Sequence, residues 1–343
     1  MKVIYTDEHR KHDGALEFLN GKLVPMFEMP RRMDMVMDRV RSQGFKEILP
    51  PQPIGLEPAR RVHSDDFLTF LAEAWPRWHK DWPKTSFGAP FTFAMRRLRQ
   101  KPGKTAVSHF GYWCFDLSSP FVPGTWDAIK AAHDVAITGQ RLVAGGERAV
   151  FSVCRPPGHH AMKDMAGGYC YINNAASAAQ AFRDGGAKKV AVLDVDYHHG
   201  NGTQDIFYDR DDVLFVSLHG HPDQEYPYFL GYAEETGSGR GEGFNVNYPL
   251  PWGTAWDSYQ PALADGIRKI EAFKPDALVI SLGVDTFEAD PISRFKLKSP
   301  DYLEMGAMIA KLNKPTLFVM EGGYAVEEIG INAVNVLQGF MNA

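Results

Sequence analysis

The stretch that decides the fold is Leu193-Asp194-Val195-Asp196-Tyr197-His198-His199-Gly200-Asn201-Gly202, because an apolar run leads directly into it. Residues 189–193 are apolar after their first lysine, which is typical of a parallel strand covered on both faces. Alternate side chains of a strand lie on one side, so Asp194, Asp196 and His198 are predicted to share a side. Such polar groups at the end of a buried strand are costly unless a partner such as a divalent cation binds them. A capped polar loop without a ligand is the alternative at this point.

Three further apolar runs end in polar residues in the same way. Residues 149–154 lead into 155–160, residues 277–282 lead to Asp285, and residues 315–320 lead to Glu321 and Tyr324. Open α/β sheets build their sites at the carboxyl ends of their strands. The four runs therefore favour one shared site over a set of unrelated capped loops.

Helical patterns alternate with these strands. Apolar spacing and end signals predict helices over residues 126–144, 173–185, 256–273 and 299–313. The alternation predicts an α/β fold with a central, mostly parallel sheet and helices on both faces. With no repeats or linkers, we expect one domain over residues 1–343. Residues from about 80 to 112 break the alternation, and such a loop is usually functional or an interaction element.

Composition limits the classes of partner. The net charge of -5 supplies no field for a polyanion, so nucleic acid is not expected as a partner, whereas a small cationic substrate suits the sign. No apolar run approaches the roughly 20 residues of a membrane span, and residues 1–7 lack the apolar core of a signal peptide. Three scattered cysteines, Cys114, Cys154 and Cys170, indicate a reducing compartment without disulfides. We therefore expect a cytoplasmic protein.

The metal ligands predicted from the residues are Asp196, His198 and Asp285. Two carboxylates and an imidazole neutralise most of a divalent charge and leave one coordination position open, which is the mark of a catalytic site. Water bound at an open position loses a proton near neutral pH. Asp285 alone would be a helix cap as often as a ligand, but its place at a strand end favours the ligand role.

A tandem pair, His159 and His160, is predicted to transfer protons. The preceding Pro156-Pro157-Gly158 fixes an irregular backbone that can present both imidazoles to one cavity. Asp194 can orient one histidine and Asn201 the other, and the neutral Asn would leave its histidine less basic. A general base and a charged partner are thus expected.

Tyr324 follows two glycines that bring the backbone close to the site. Its hydroxyl could donate to the oxygen of a scissile carbonyl, opposite a Lewis-acid metal. A core tyrosine at a strand end is the alternative role for this residue alone. Water on a metal, a histidine base and a tyrosine donor together describe hydrolysis of an unactivated carbonyl, most plausibly that of an amide.

Five motifs together resemble the zinc-dependent histone deacetylase superfamily of the arginase–deacetylase fold, and within it the bacterial acetylpolyamine amidohydrolases. The resemblance covers nearly the whole chain, and the combination is highly specific. The motifs are Arg155-Pro156-Pro157-Gly158-His159-His160, residues 167–175, residues 194–204, Gly283-Val284-Asp285-Thr286-Phe287 and Glu321-Gly322-Gly323-Tyr324. Arginases share the fold but need a second metal carboxylate near Asp285, and Phe287 disfavours one.

The resemblance implies roles for further residues. His160 would be the general base and acid, His159 its electrostatic partner linked to Asp194, and Tyr324 the group that polarises the carbonyl. Arg32 would lie near the exit for acetate. The residues expected along an aromatic substrate tunnel are Tyr169, Tyr226, Gly168 and Trp113. A structural potassium ion would be held by Asp194, Ser217 and the backbone carbonyls of Asp196, His198 and Leu218. Zinc is the implied catalytic metal, although an Asp2His ligand set also accepts iron(II).

Two departures from the protein-directed deacetylases concern the substrate. Many of those enzymes carry an aspartate after a Gly-Tyr pair on the rim, whereas here Gly111-Tyr112 precedes Trp113. The segment near 80–112 also resembles the loop with which polyamine-specific relatives dimerise and narrow the tunnel. Its aromatic residues are Trp82, Phe87, Phe91, Phe93, Phe110 and Trp113, and a homodimer would cover them. Its cationic residues, Arg96, Arg97, Arg99 and Lys104, are expected on a solvated face.

The favoured hypothesis is hydrolysis of N-acetylated polyamines or diamines, such as acetylputrescine or acetylcadaverine. One alternative is a deacylase acting on acyl-lysine in proteins. Another is a silent binding module, which the complete set of ligands, base and tyrosine argues against. The preferred amine length and the choice between monoacetyl and diacetyl substrates stay open.

Overall fold

The structure is a computed structural model that describes residues 1–19, 21–95 and 98–343. Within these ranges the strands are β1 (Lys2–Ile4), β2 (Leu16–Leu19), β3 (Lys22–Pro25), β4 (Ile48–Leu49), β5 (Ala149–Ser152), β6 (Val190–Asp194), β7 (Val213–Gly220), β8 (Asn245–Leu250), β9 (Ala277–Leu282) and β10 (Thr316–Met320). The α-helices of the same ranges are α1 (Arg31–Ser42), α2 (Glu57–Arg60), α3 (Asp65–Asp81), α4 (Ala106–Trp113), α5 (Thr125–Ala144), α6 (Asn174–Asp184), α7 (Asn201–Phe207), α8 (Trp256–Phe273), α9 (Asp301–Ala310) and α10 (Ile329–Asn342).

Eight strands form one parallel sheet in the order β4-β1-β5-β10-β9-β6-β7-β8. A separate antiparallel hairpin joins β2 and β3. The four strands whose ends carry the polar motifs, β5, β10, β9 and β6, are consecutive in the centre of the sheet. Because they are parallel, their carboxyl ends meet at one edge, where an open sheet forms its site.

Helices cover both faces of this sheet. Ala191 and Leu193 of β6 pack in a core cluster that includes residues of α8, α9 and α10, whereas Val190 and Val192 pack in a cluster that includes residues of α5 and α6. A strand that is buried on both faces has no polar face, which explains its continuous apolar run. The predicted fold class is confirmed.

The predicted helices are found with small differences at their ends. Helix α8 has the predicted bounds, and α6 begins after Asn173, whose side chain accepts a hydrogen bond from the amide of Ala176 at 2.9 Å. The helix predicted over 299–313 covers only Asp301–Ala310. Pro300 is its N-cap residue and makes no side-chain capping bond, so the predicted capping chemistry is absent.

The segment near 80–112 is less irregular than expected. Helix α3 continues to Asp81 and α4 begins at Ala106, so the irregular backbone that the structure describes here is confined to residues 82–95 and 98–105. Two of the six aromatic residues expected on its surface, Phe110 and Trp113, are buried against Phe67 and Phe70 of α3. Trp82, Phe91 and Phe93 are exposed and Phe87 is half-buried. The correction follows from α4, whose apolar face packs on α3.

The cationic residues of the segment partly lie where they were expected. Arg99 and Lys104 are exposed, whereas Arg96 and Arg97 lie outside the described residues. Across the described ranges, no helix combines the length and the apolar character that a bilayer crossing requires.

Candidate active site

Asp196, His198 and Asp285 meet at the carboxyl edge of the sheet. Each is buried, and each offers a ligand atom within 4.8 Å of the other two. Nδ1 of His198 lies 3.0 Å from Oδ2 of Asp285 and 3.5 Å from Oδ1 of Asp196. The structure therefore brings together the three side chains that the sequence predicts as metal ligands.

The chemistry of this group fits a divalent cation. Two carboxylates and one imidazole form a set that zinc and iron(II) accept. Burial and the neighbouring charge of Asp196 raise the pKa of Asp285 to about 6, so two buried acids lie together at a cost that a cation would offset. Gly283 and Gly322 border the carboxylates so closely that any side chain on either would collide with them. Both glycines keep the space beside the ligand atoms open.

His159 is held by the carboxylate of Asp194. Its Nδ1 atom lies 3.0 Å from Oδ2 of Asp194, and its Nε2 atom lies 3.8 Å from Oδ2 of Asp196. Burial alone would lower the pKa of His159, but the charges of Asp196 and Asp194 raise it to about 10. His159 is therefore a cation at neutral pH, which fits the role of electrostatic partner.

His160 faces a neutral partner. Its Nδ1 atom lies 2.7 Å from Oδ1 of Asn201, and its ring centroid is 4.0 Å from that of His159. Burial, followed by the charges of His159 and His198, lowers the pKa of His160 well below its ordinary value. His160 is therefore neutral near pH 7 and can accept a proton, so the two histidines are in opposite charge states.

Tyr324 is buried beside Arg32. The guanidinium carbon of Arg32 lies 4.7 Å from the centroid of the Tyr324 ring. The centroids of the Tyr169 and Tyr324 rings are 5.6 Å apart. Burial raises the pKa of Tyr324 well above its ordinary value. Its hydroxyl therefore stays protonated at neutral pH and can act as a hydrogen-bond donor.

Arg32 belongs to a buried ionic cluster. Its Nη1 atom donates to Oε1 of Glu28 at 2.8 Å, and Nε of Arg155 donates to the same oxygen at 2.8 Å. One carboxylate thus lies between two guanidinium groups, all of them buried. The excess positive charge lies next to Tyr324, where it would attract an anion such as acetate.

Tyr169 has its hydroxyl on a buried carboxylate. The hydroxyl donates to Oε2 of Glu17 at 2.5 Å, and Oε1 of Glu17 accepts from the amide of Phe27 at 2.9 Å. Burial raises the pKa of Glu17. Tyr169 has a left-handed φ of 66°, and Gly168 before it has a φ of 55°, so this turn directs the Tyr169 ring toward Tyr324.

Tyr226 is held in the same manner. Its hydroxyl donates to Oδ2 of Asp116 at 2.6 Å, and the amide of Gly168 donates to that oxygen at 2.9 Å. The rings of Tyr226 and His160 are perpendicular, with centroids 5.0 Å apart. A Cβ atom at Gly168 would collide with His160 and Tyr226, so only glycine fits there.

A cavity of about 540 Å³ opens beside these residues. Asp116 and Asn201 line it together with aromatic side chains that include Phe93, Phe115 and Tyr226. It therefore extends from the surface to the residue that orients His160.

Trp113 is not part of this group. Its ring lies 6.2 Å from that of Phe67 on centroids, and the side chain is only 8% exposed, within the cluster formed by α3 and α4. The expectation that Trp113 lines the tunnel is therefore corrected. Asp116, three residues further along the chain, occupies the position beside Tyr226 instead.

The residues expected to hold potassium lie close to the histidines. Asp194 and Ser217 are register partners on β6 and β7, and Leu218 follows on β7. Oδ1 of Asp194 accepts from the amide of Asp196 at 3.2 Å, and Ser217 Oγ lies 2.8 Å from Nδ1 of His219. The side chains of Asp194, Ser217 and Leu218 are all buried.

Four residues near the site were not predicted, and two of them, Glu17 and Asp116, carry no signal that local patterns would reveal. Glu17 lies on a hairpin far from every motif, and Asp116 follows a helix rather than a strand. Asp290 and Glu321 accept hydrogen bonds from backbone amides of the loops that carry Tyr324 and His159. The position of Glu321 inside the Glu-Gly-Gly-Tyr motif was a visible signal, and Asp290 lies five residues after Asp285.

The chain matches known proteins over nearly its whole length. The family described as histone deacetylase domain matches residues 26–340. Acetylpolyamine amidohydrolase 2 of Pseudomonas aeruginosa is 58% identical, covering 99% of this chain and 98% of the relative. Acetylpolyamine amidohydrolase of Mycoplana ramosa is 50% identical, with 99% of each chain covered. The crystal structure of acetylpolyamine aminohydrolase from Burkholderia pseudomallei superimposes with a TM-score of 0.94 at 35% identity, covering 99% of this chain and 98% of that one. With this match extending over the whole ligand and histidine group, the chain belongs to the histone deacetylase family.

Proposed function

We propose that this protein is a metal-dependent deacetylase that hydrolyses the amide of N-acetylated polyamines or diamines, releasing the free amine and acetate. The two relatives at 58% and 50% identity are named for this activity. The structural observation that carries the substrate class is the carboxylate of Asp116, which lines an otherwise largely apolar cavity and accepts a hydrogen bond from Tyr226, the neighbour of His160. A cationic, slender substrate suits that combination.

Asp196, His198 and Asp285 would hold the catalytic metal, which we propose to be zinc, with iron(II) as the other metal that this set accepts. The bound cation supplies Lewis acidity toward water and the amide carbonyl. The experiment that identifies it is reconstitution of metal-free enzyme with one metal at a time.

Four side chains would each have a separate role in the reaction. Nε2 of His160 would accept the proton of the attacking water and then deliver it to the departing amine nitrogen. His159, kept cationic by the charges of Asp196 and Asp194, would stabilise the negative charge that develops on the carbonyl oxygen. The hydroxyl of Tyr324 would donate to the carbonyl oxygen. Arg32 would attract the acetate product.

Asp116 and Glu17 would set the preference for a cation. Each carboxylate accepts a hydrogen bond from the hydroxyl of a tyrosine, Tyr226 for Asp116 and Tyr169 for Glu17. The acetyl group would lie at the ligand group and the aliphatic chain of the substrate would pass between the two rings, with Gly168 leaving room for that chain. The amine end would then lie in the 540 Å³ cavity beside Asp116.

We also propose a structural potassium ion bound by Asp194, Ser217 and the carbonyls of Asp196, His198 and Leu218. Such an ion would neutralise Asp194, whose pKa is raised by burial in spite of the charge of His159. Activity that rises with potassium at constant ionic strength would support it.

A homodimer is the assembly we propose. An exposed apolar surface, which we call the apolar face, comprises Leu16, Phe18, Leu23, Trp82, Phe91 and Phe93, whose exposed fractions range from 38% to 67%. Five of these residues border one groove of about 440 Å³, and Phe18 and Phe93 border the substrate cavity. A contiguous apolar surface of this kind is typical of an interface, and a two-fold dimer is the simplest closed assembly that covers it.

We treat residues 1–343 as one catalytic domain and place the protein in the cytoplasm. All three cysteines lie in the described part of the chain, buried and unpaired, which suits a reducing compartment.

The activity is tested by kinetics on enzyme of defined metal content. We expect kcat/KM for acetylputrescine or acetylcadaverine to exceed that for an acetyllysine peptide by roughly 10²-fold or more, since a desolvated charge pair and a narrow cavity each contribute a few kcal/mol. Tyr324→Phe serves as the inactive control. An opposite ranking would support the protein-directed deacylase, and binding without turnover would support the silent module.

A further inference from the structure

The segment that carries Tyr324 has no regular secondary structure. It follows β10 and comprises residues 321–325, whose backbone turns sharply at Gly323, where φ is 125°. A catalytic hydroxyl on such a segment needs another means of fixing its backbone. Side chains from helix α1 and from other loops serve that purpose here.

The carbonyl groups of the segment are held by one side chain. Nη2 of Arg32 donates to the carbonyl of Glu321 at 2.6 Å, and Nε of Arg32 donates to the carbonyl of Gly323 at 2.6 Å. The amide of Gly322 donates to Oδ2 of Asp196 at 2.8 Å. These bonds fix the part of the segment before Tyr324.

The amides of Tyr324 and the next residue are held by Asp290. Oδ2 of Asp290 accepts from the amide of Tyr324 at 2.7 Å and from the amide of Ala325 at 3.2 Å. Oδ1 of Asp290 accepts from the amide of Ile292 at 3.1 Å. The side chain is 7% exposed, so it does not reach bulk water and acts within the protein.

Asp290 lies on the same loop as Asp285, five residues further along the chain. One loop thus carries a predicted metal ligand and the group that fixes the backbone of Tyr324. The backbone of Tyr324 is thereby linked to the loop that carries Asp285.

We propose that Asp290 is a positioning residue, which fixes the backbone of Tyr324 so that its hydroxyl reaches the carbonyl oxygen of the substrate. The proposal rests on the proposed function, because that function gives Tyr324 its role. A donor is effective only within about 2.7–3.1 Å of the oxygen it stabilises. The hydroxyl lies at the far end of the side chain, so a small rotation of the backbone moves it by a large part of an ångström.

The first test compares Asp290→Asn with a matched control. Asn has the same shape but offers one neutral acceptor oxygen in place of two charged ones, so the Tyr324 and Ala325 amides either lose their partner or keep a weaker, uncharged one. We expect kcat for acetylputrescine to fall roughly 10- to 100-fold, with KM and metal content changed by no more than about twofold, since misplacement by about 1 Å costs up to 10²-fold. The control is Asp276→Asn. Asp276 also accepts from two consecutive amides, those of Lys188 and Lys189, at 2.6 and 3.0 Å, but it lies at the opposite edge of the sheet. That variant should keep the kcat of the native enzyme.

A double-mutant cycle separates positioning from a general loss of structure. If Asp290 acts through the hydroxyl of Tyr324, Asp290→Asn should cost nothing further in a Tyr324→Phe background, to within about twofold. A merely structural role would lower kcat by the same factor in both backgrounds. Equal factors, or a kcat of Asp290→Asn within twofold of the native enzyme, would overturn the proposal.

The cycle also distinguishes this inference from the function beneath it. Near-native turnover by Tyr324→Phe alone would remove Tyr324 from the mechanism and overturn both. A large loss in Tyr324→Phe with none in Asp290→Asn would overturn only the positioning role. Should Asp290→Asn not fold, Asp290→Ser takes its place in the cycle under the same criteria, because its single oxygen on a shorter side chain cannot serve the amides of Tyr324, Ala325 and Ile292 together.

Discussion

His160 and Asn201 form a hydrogen bond of 2.7 Å between Nδ1 and Oδ1. An amide oxygen can only accept, so Nδ1 carries the hydrogen and Nε2 is left with its lone pair, free to accept a proton. The neighbouring histidine, His159, has a carboxylate in the equivalent position. The two histidines thus differ in the partner of Nδ1, which is a neutral amide for His160 and a carboxylate for His159, and this difference adds to the effects of burial and of Asp196 on their charge states.

Asn201→Asp should shift the pH dependence of activity. A carboxylate beside Nδ1 would raise the pKa of His160 by roughly 1–3 units, as for any group that gains an opposite charge nearby. The active form of a base is the neutral one, so the acidic limb of kcat/KM should move to higher pH. The measurement is a pH profile with acetylputrescine, with metal content checked at each pH. An acidic limb that does not move would show that His160 is not the group that must be unprotonated.

Asp285→Ala should abolish metal binding and activity together. The remaining ligands, Asp196 and His198, hold a divalent cation too weakly for it to survive dialysis, because three protein ligands are the minimum for a catalytic site of this type. Metal content per chain, measured by elemental analysis, should fall from about one to near zero. Asp276→Asn is a suitable control for purification losses. Stoichiometric metal in Asp285→Ala would exclude Asp285 as a ligand.

His160→Ala and Tyr324→Phe should each lower kcat by roughly 10²-fold or more while metal remains bound. Loss of the base or loss of the hydroxyl donor raises the barrier without touching the ligand set. Tyr324→Phe should still bind acetylated amine, which calorimetry can measure. A variant that turns over at near-native speed would remove its residue from the mechanism.

Asp116→Asn should weaken the preference for cationic substrates. Removing the carboxylate should raise KM for acetylputrescine roughly 10-fold, which corresponds to about 1.4 kcal/mol, whereas KM for the uncharged N-butylacetamide should not change. Asp134→Asn is the matched control. Asp134 lies on α5, is also partly buried and accepts a hydrogen bond from the amide of Ile54 at 3.0 Å. Equal changes for both substrates would mean that Asp116 supports the cavity wall without recognising charge.

The ligand group could be predicted because each of its members lies at the end of a buried strand. The apolar runs of β6 and β9 fix where Asp196 and Asp285 emerge, and parallel pairing brings those ends together. The prediction did not need the order of the strands, because parallel strands present all their carboxyl ends at one edge of the sheet. The same local rule does not reach residues that come to the site from hairpins and helices.

Glu17 and Trp113 show why the rest could not be predicted. On β2, Leu16 is 38% exposed, Phe18 is 55% exposed and Glu17 is 4% exposed, the reverse of the pattern of an ordinary amphipathic strand. The hairpin directs Glu17 toward the hydroxyl of Tyr169 and directs Leu16 and Phe18 toward solvent. Trp113 was misplaced for a related reason, since the packing of α4 on α3 depends on contacts between segments that alternation cannot reveal.

The inverted pattern of β2 supports the last prediction, which concerns the dimer. Sedimentation at micromolar concentration should show a dimer. Phe91→Glu should give a monomer, because burying an unpaired charge in an apolar interface is costly. Leu303→Glu is the matched control, since Leu303 is a 38% exposed leucine of α9, outside the apolar face.

Shortening the segment between α3 and α4 should also yield a monomer, with weaker activity on acetylated diamines and relatively better activity on acetyllysine peptides. That shift is expected because the partner's segment would border the cavity and exclude bulky substrates. If the native protein is monomeric, or the shortened variant keeps the native substrate ranking, the segment does not select the substrate. The narrowness must then come from Tyr169 and Tyr226, which Glu17 and Asp116 hold in place.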